Sequence, residues 1–196
     1  STREPLRYHD NNVGGLISLL KAATQAGIKK FIFSSSCTVY GQPDVIPVTE
    51  QSPIKEAESP YGSTKQSCEF IVRDVAMAGH MEGVLLRYFN PAGAHISGLI
   101  GEDANQVATN LVPVITETAI GKRAQTTVFG GDYNTRDGSC VRDYIHVMDL
   151  ANAHTKAMQY LLKKKNKTNC EAYNLGIGEG ATVLEVINAF EKVSGK

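Results

Sequence analysis

Apolar positions along the chain switch repeatedly between a helical and a strand-like period. Val13, Leu16, Leu20 and Ala23 recur at helical spacing, which predicts a helix from Asp10 to Gln25 with Gly27 as its stop. Gly14 and Gly15 lie inside it, where each costs about 1 kcal/mol relative to Ala; their presence predicts close approach by another backbone or a ligand. Lys30 to Ser34 reads as a buried strand. Residues 42–59 carry Pro43, Pro47 and Pro53 and read as a loop. Ser59 as N-cap and Pro60 at the first helical position open a helix running to about Ala78, and Gly83 to Arg87 is the next strand. An irregular stretch follows Asn90. Val107 to Ile120 is predicted helical, Thr126–Phe129 and Tyr144–His146 as strands, Asp149 to Leu162 as an amphipathic helix, and Ala172–Leu175 as a strand. Thr182 and Glu185 form a capping box that opens a last helix. Strands alternating with helices predict an α/β fold with a parallel sheet, and no internal repeat is present.

Charge narrows the partners. The 196 residues hold 20 Lys and Arg against 20 Asp and Glu, which argues against binding to nucleic acid or an anionic membrane. The basic tract Lys163–Lys167 reads as a solvated connection. No signal peptide and no apolar run of membrane-spanning length is visible. Cys37, Cys68, Cys140 and Cys170 are widely separated, with no metal-ligand spacing. No metal site is expected, and a reduced, cytoplasmic protein is.

The chemistry gathers around Tyr61 and Lys65 in Ser59-Pro60-Tyr61-Gly62-Ser63-Thr64-Lys65. Positions i and i+4 share a helix face, so the ammonium is expected to lower the tyrosine pKa from about 10 and make the phenol a usable general base. The spacing alone is weak and equally describes a surface helix pair. The strand ending in Ser34-Ser35-Ser36, then Val39-Tyr40-Gly41, then the Tyr61 helix, is a far more specific order. A second motif competes. Gly176-Ile177-Gly178-Glu179-Gly180-Ala181 fits a dinucleotide-loop pattern between a strand and a helix. It is read instead as a tight turn, because Glu179 would bring negative charge close to a pyrophosphate.

From Arg7 onward nearly the whole chain resembles the UDP-glucose 4-epimerases of the extended short-chain dehydrogenase/reductase family. The likeness rests on Asp10-Asn11-Asn12-Val13, Ser34-Ser35-Ser36-Cys37-Thr38-Val39-Tyr40-Gly41 and Leu86-Arg87-Tyr88-Phe89-Asn90-Pro91-Ala92-Gly93. Further matches are Ile100-Gly101-Glu102-Asp103, Asp132-Tyr133-Asn134-Thr135-Arg136-Asp137-Gly138 and Val141-Arg142-Asp143-Tyr144-Ile145-His146. The resemblance implies part of a doubly wound Rossmann-type parallel sheet plus part of a smaller substrate-binding domain. Residues 1–90 would be the C-terminal part of the NAD-binding domain. Residues 91–196 would contribute to the UDP-sugar region and return to the sheet.

It also implies the reaction, interconversion of UDP-glucose and UDP-galactose by NAD-mediated redox at sugar C4. Tyr61, Ser36 and Lys65 would be catalytic, with Tyr61 taking the 4-hydroxyl proton and Ser36 bonding O4. Asn12, Ser34, Tyr61, Lys65 and Tyr88 would meet NAD. Ser36, Cys37, Thr38, Tyr88, Phe89 and Asn90 would meet the sugar nucleotide, as would Asn110, Leu111, Val128, Phe129 and Arg142, the last at phosphate. Thr109 and Thr127 stand where asparagine is usual. A homodimer through the Asp10–Gln25 and Tyr61 helices is implied. His95, His146 and Asp143 read as structural, Arg136 and Asp137 as closing a turn, and Tyr40 as packing.

The family's glycine-rich pyrophosphate loop and its C-terminal third are not in these 196 residues, so the chain by itself is expected neither to retain NAD nor to epimerise. Two alternatives remain. One is a nucleotide-sugar 4,6-dehydratase, disfavoured because Cys37 and Thr38 occupy the positions of its acid pair. The other is a non-catalytic binding protein on the same fold.

Overall fold

The structure, a computed structural model, describes residues 1–102 and 107–196; Asp103 of the Ile100–Asp103 motif lies outside the described residues. The chain divides into two compact units. One comprises residues 1–89 and 151–175, the other residues 90–150 and 176–196.

The first unit is built on a parallel sheet of β1 (Lys30–Ser36), β2 (Glu82–Tyr88) and β5 (Cys170–Leu175), in the order β1-β2-β5. Lys30 pairs with Glu82 and Ser36 with Tyr88, so the C-terminal ends of β1 and β2 stand side by side. Every residue from Gly83 to Arg87 is buried, as expected of a central parallel strand covered on both faces. Alternation along it serves two cores. Leu85 joins Leu16, Leu20, Cys68, Val72 and Met81 beneath α2 (Gly15–Gln25) and α3 (Pro60–Met77). Val84 and Leu86 join Ala157 and Leu161 of α5 (Val147–Leu162) on the other face.

The first helix begins earlier than its periodicity suggests. Pro5 starts α1 (Pro5–His9), which runs through a π turn at Asp10–Gly14 into α2. Gly14 and Gly15 are not sites of close approach within this chain. A Cβ at Gly15 would meet nothing within 4 Å, and one at Gly14 only the Asp10 carboxylate at 3.4 Å. Ser59 accepts a hydrogen bond from the Gly62 amide at 3.1 Å and Pro60 begins α3, as the capping signal predicted. Between β1 and α3 a 3-10 turn, Cys37–Tyr40, ends at Gly41. Its φ of +61° and the Glu56 carbonyl, 2.3 Å from any added Cβ, leave room only for glycine.

The second unit holds a small mixed sheet of β3 (Asn90–Ala92), β4 (Val141–His146) and β6 (Gly180–Thr182). β3 and β4 are parallel and β4 and β6 antiparallel, where only parallel pairing was expected. Two other expectations also fail. Thr126–Phe129 is not a strand: no described strand pairs with it and Phe129 is 82% exposed, so its propensity finds no ladder. The helix expected from Val107 is α4 (Leu111–Ala119). Pro113 sets that boundary. It is tolerated in the first turn, but in a helix begun at Val107 it would remove an interior hydrogen bond and clash with the Thr109 carbonyl. The capping box is present in full and opens α6 (Val183–Ser194). Among the described residues, no helix is long and apolar enough to cross a membrane.

Candidate active site

Three residues on one stripe of α3 meet the three serines that end β1. Tyr61, Lys65 and Glu69 are spaced i, i+4, i+8 and so face one way. Glu69 accepts from the Ser35 hydroxyl at 2.6 Å. Lys65 donates from Nζ to the Ser34 carbonyl at 2.9 Å. Tyr61 lies near enough to Ser36 for that hydroxyl to act on its pKa. Extended backbone turns successive side chains to opposite faces, so the serine run presents hydroxyls to both layers. Ser35 faces α3, and the Ser34 hydroxyl lies 2.9 Å from His154 Nε2 on α5. Ser36 Oγ also accepts from the Thr38 amide at 3.3 Å and the Thr38 hydroxyl at 3.0 Å. The 3-10 turn therefore fixes the serine beside Tyr61.

Electrostatics at Tyr61 differ from the sequence expectation. Its pKa is raised rather than lowered. Burial is the largest cause, Tyr88, Cys37 and Tyr8 add to it, and the Ser36 hydroxyl opposes it. Lys65 is itself lowered by burial, which disfavours its charged form. The ammonium is engaged by the Ser34 carbonyl and lies 5.0 Å from the Phe33 ring centre and 5.6 Å from that of Tyr61. In this arrangement the balance at Tyr61 favours the neutral phenol.

The remaining predicted residues of this unit lie near the same strand ends. Asn12 sits in the π turn and donates to the Thr64 hydroxyl at 3.0 Å, while its carbonyl accepts from Cys68 Sγ at 3.5 Å. The π turn thus pins the first helix to α3. Tyr88 is half-buried, with its ring 6.5 Å from that of His154. Cys37 and Thr38 form the start of the 3-10 turn, and Phe89 follows β2 with its amide donating to the Leu175 carbonyl at 3.1 Å.

Beneath the site runs a buried polar network that sequence reasoning missed. Arg87 donates to both Glu69 oxygens at 2.8 and 2.6 Å and to the Tyr40 hydroxyl at 2.9 Å. Tyr40 donates in turn to Asn174 at 2.6 Å. Tyr40 is therefore packed, as expected, and also the hydrogen-bonded hub between β2 and β5. Burial raises no unmet demand, because every polar atom here has a partner. The available signal was Glu69 itself, a carboxylate in helical register with Tyr61 and Lys65 on a face that otherwise buries Val72 and Ala76.

In the second unit the predicted substrate residues are separately placed. Asn90 donates to the Asp143 carbonyl at 2.9 Å, joining β3 to β4. Arg142 is exposed on β4 and donates to the Val141 carbonyl at 2.8 Å. Asn110 precedes α4, with its amide 3.4 Å from Glu102, and Leu111 is the first residue of α4. Val128 is half-buried and Phe129 exposed.

Residues read as structural do hold turns. Asp143 accepts from the amides of Ile177 and Gly178 at 3.0 and 2.9 Å. The amides that a phosphate would need in the Gly176–Ala181 turn are thus occupied by a carboxylate. His146 accepts from the Met148 amide at 3.2 Å, and His95 pairs with Ser97 at 2.8 Å. Arg136 and Asp137 do more than close a turn. Arg136 forms a bidentate pair with Glu185, and Asp137 accepts from Thr182, so both grip the capping box of α6.

Known proteins resemble this chain over nearly all of its length. A UDP-glucose 4-epimerase of Bacillus subtilis is 53% identical over 193 residues, 98% of this chain and 56% of the relative. The crystal structure of UDP-glucose 4-epimerase from Bifidobacterium longum in complex with NAD+ and UDP superposes with a TM-score of 0.93 at 46% identity, covering 100% of this chain and 57% of the other. That from Stenotrophomonas maltophila, with bound NAD and formylated UDP-arabinopyranose, gives 0.94 at 46% identity and the same coverage. The chain spans about half the length of the curated relatives it matches. A sequence model of one family fits residues 1–176, and on that match the chain belongs to the NAD dependent epimerase/dehydratase family.

Proposed function

We propose that the intact protein interconverts UDP-glucose and UDP-galactose by oxidation and reduction at sugar C4. The observation that carries this is the stripe Tyr61, Lys65, Glu69 set against Ser36, Ser34 and Ser35, in a chain about half identical to proteins named UDP-glucose 4-epimerase.

The chain's residues fit NAD. The site lies at the C-terminal ends of parallel strands, where open α/β sheets place their ligands. There Lys65 offers an amine, Asn12 an amide and Tyr88 a half-buried ring face. Lys65 and Asn12 would hold the ribose side and Tyr88 would flank the nicotinamide. When bound, the nicotinamide supplies the acceptor and donor of hydride. Ser36 orients the sugar 4-hydroxyl, and Tyr61 takes its proton and later returns it. Lys65, keeping one N–H on the Ser34 carbonyl and turning the others toward the ribose, would add the positive charge that brings the Tyr61 phenol down toward working pH. Arg142 would pair with the UDP phosphates, for which a guanidinium fork is suited. Asn90, Asn110, Leu111, Val128 and Phe129 would complete the sugar-nucleotide contacts. A dehydratase is disfavoured, since the turn Cys37–Tyr40 carries no carboxylate for elimination.

We further propose a cytoplasmic homodimer. Cys37, Cys68, Cys140 and Cys170 form no disulfide, which suits a reducing compartment. Ile17, Leu19 and Phe70 are exposed on α2 and α3, beside a 390 Å³ groove bordered by Ile17, Leu20, Ile71 and Val75. That apolar face suits pairing with a second copy.

The test is epimerisation of UDP-galactose by the full-length protein and its Tyr61→Phe variant. Loss of turnover by orders of magnitude with an unchanged circular dichroism spectrum is expected. Near wild-type turnover in the variant would remove Tyr61 from the chemistry.

A further inference from the structure

We propose that His154 is a positioning residue for the Tyr61–Lys65 pair, acting through Ser34. The inference rests on the functional reading above and extends it to a residue on the opposite face of the sheet.

Ser34 is held from two sides. Its carbonyl receives the Lys65 ammonium from α3 at 2.9 Å, and its hydroxyl lies 2.9 Å from His154 Nε2 on α5. Pairing of Ser34 with Leu86 in the β1–β2 ladder limits rotation about its Cα–C bond, and the carbonyl extends from the same Cα that carries the hydroxyl. The contact on the hydroxyl therefore restrains the carbonyl on which Lys65 docks. The same imidazole stands 6.5 Å from the Tyr88 ring at an interplanar angle of 50°, and Tyr88 is among the groups that raise the Tyr61 pKa. One side chain thus braces the C-terminal ends of both β1 and β2.

The position of His154 on α5 argues for a purpose beyond filling space. It is three and seven residues before Ala157 and Leu161, on the face that packs against Ile32, Val84 and Leu86. An aliphatic side chain would satisfy that apolar neighbourhood at no cost in desolvated polar atoms. The imidazole instead spends its Nε2 on the one residue of β1 whose carbonyl holds Lys65. Lys65 is already biased toward its neutral form by burial. The placement of a single carbonyl oxygen therefore has a large share in where the ammonium rests and how readily it turns to the ribose.

The experiment uses the full-length protein with His154→Leu, His154→Gln, Ser34→Ala and the double variant Ser34→Ala/His154→Leu. In His154→Leu, kcat should fall about tenfold with KM for UDP-galactose unchanged, since no substrate contact is touched. Glutamine can reach the same hydroxyl and should restore most of kcat. Ser34→Ala should reproduce the loss, and the double variant should add nothing further. Crystal structures of the two His154 variants supply a readout that needs no activity. Lys65 Nζ should leave the Ser34 carbonyl in the leucine variant and return in the glutamine variant. Wild-type kcat in His154→Leu, additive losses in the double variant, failure of glutamine to rescue, or a Lys65 unmoved in the leucine crystal would each overturn the proposal. If His154→Leu does not fold, Ser34→Ala against Ser34→Thr, which keeps the hydroxyl, decides by the same Lys65 distance. If wild type lacks epimerase activity, the functional reading fails, while the Lys65 position still decides this inference.

Discussion

Glu69 and Arg87 form a two-pronged ion pair with both side chains only 2% exposed. It joins the helix that carries Tyr61 and Lys65 to the central strand. Removing both charges from water is costly, and such a pair is retained only with its remaining hydrogen bonds filled. Here Ser35 and Tyr40 fill them. The pair therefore fixes the register of α3 against β2, and its Ser35 contact extends that hold to β1 and the seat of Tyr61 beside Ser36.

Removing one partner should cost far more than removing both. Glu69→Leu leaves Arg87 charged in the core and is expected to destabilise by about 3–5 kcal/mol. Glu69→Leu with Arg87→Met should recover a substantial part of that loss. Urea unfolding of the two variants measures the difference, and equal midpoints would mean the pair is not coupled.

Tyr61 should titrate above its ordinary value of about 10 when no nucleotide is added, because burial disfavours the phenolate. The ultraviolet difference between wild type and Tyr61→Phe isolates this one phenol. Lys65→Met should leave the midpoint in place. A midpoint below 10 that rises in Lys65→Met would restore the direct electrostatic role read from the i, i+4 spacing.

Arg142→Ala should weaken UDP binding by roughly 10- to 150-fold, the worth of a charge-assisted contact of about 1.5–3 kcal/mol. Calorimetric titration of UDP into the full-length protein checks it. Equal affinities would assign Arg142 to the β4 edge alone.

The second unit should carry an acid-labile clasp. Arg136 holds the Glu185 carboxyl down to about 2, and Thr182 and Ser139 keep Asp137 low as well. A carboxylate depressed in the folded state binds fewer protons there than in the unfolded chain. Its stabilisation is complete above the unfolded value near 4.5 and is lost as pH falls toward 2. Glu185→Gln should flatten the fall in stability across that window while lowering stability at neutral pH. An unchanged acid limb would show that the pair contributes nothing.

Much of this arrangement was legible in the chain because its signals are local. The Ser59 cap, Pro60 and the Thr182–Glu185 box each act within one helical turn, and each appears where it was read. The i, i+4 spacing placed Tyr61 and Lys65 on one face, but not the direction of the lysine. That direction depends on the Ser34 carbonyl, which lies 31 residues away. The partnerships of Glu69, Arg87, Asn174 and His154 escaped notice for the same reason: each acquires meaning only through residues on other elements. β6 is three residues long and exists by pairing with β4 about 40 positions earlier, so no local periodicity announces it. The converse error was Thr126–Phe129, whose strand-like residues have no ladder to join.

The Gly176–Ala181 turn has a consequence for any anion that approaches it. Gly178 adopts a φ of +79°, and two successive amides converge as they do in phosphate-binding loops. Asp143 is a resident competitor tied to the same fold. Even a loosely tethered group acts at an effective concentration on the order of millimolar, and this carboxylate is held by a strand. A free phosphate would have to displace it and leave its charge unpaired. The turn is in that sense saturated from birth: a glycine pattern able to bind an anion has been given a permanent one, and its binding capacity has become a fastener between β4 and the start of β6.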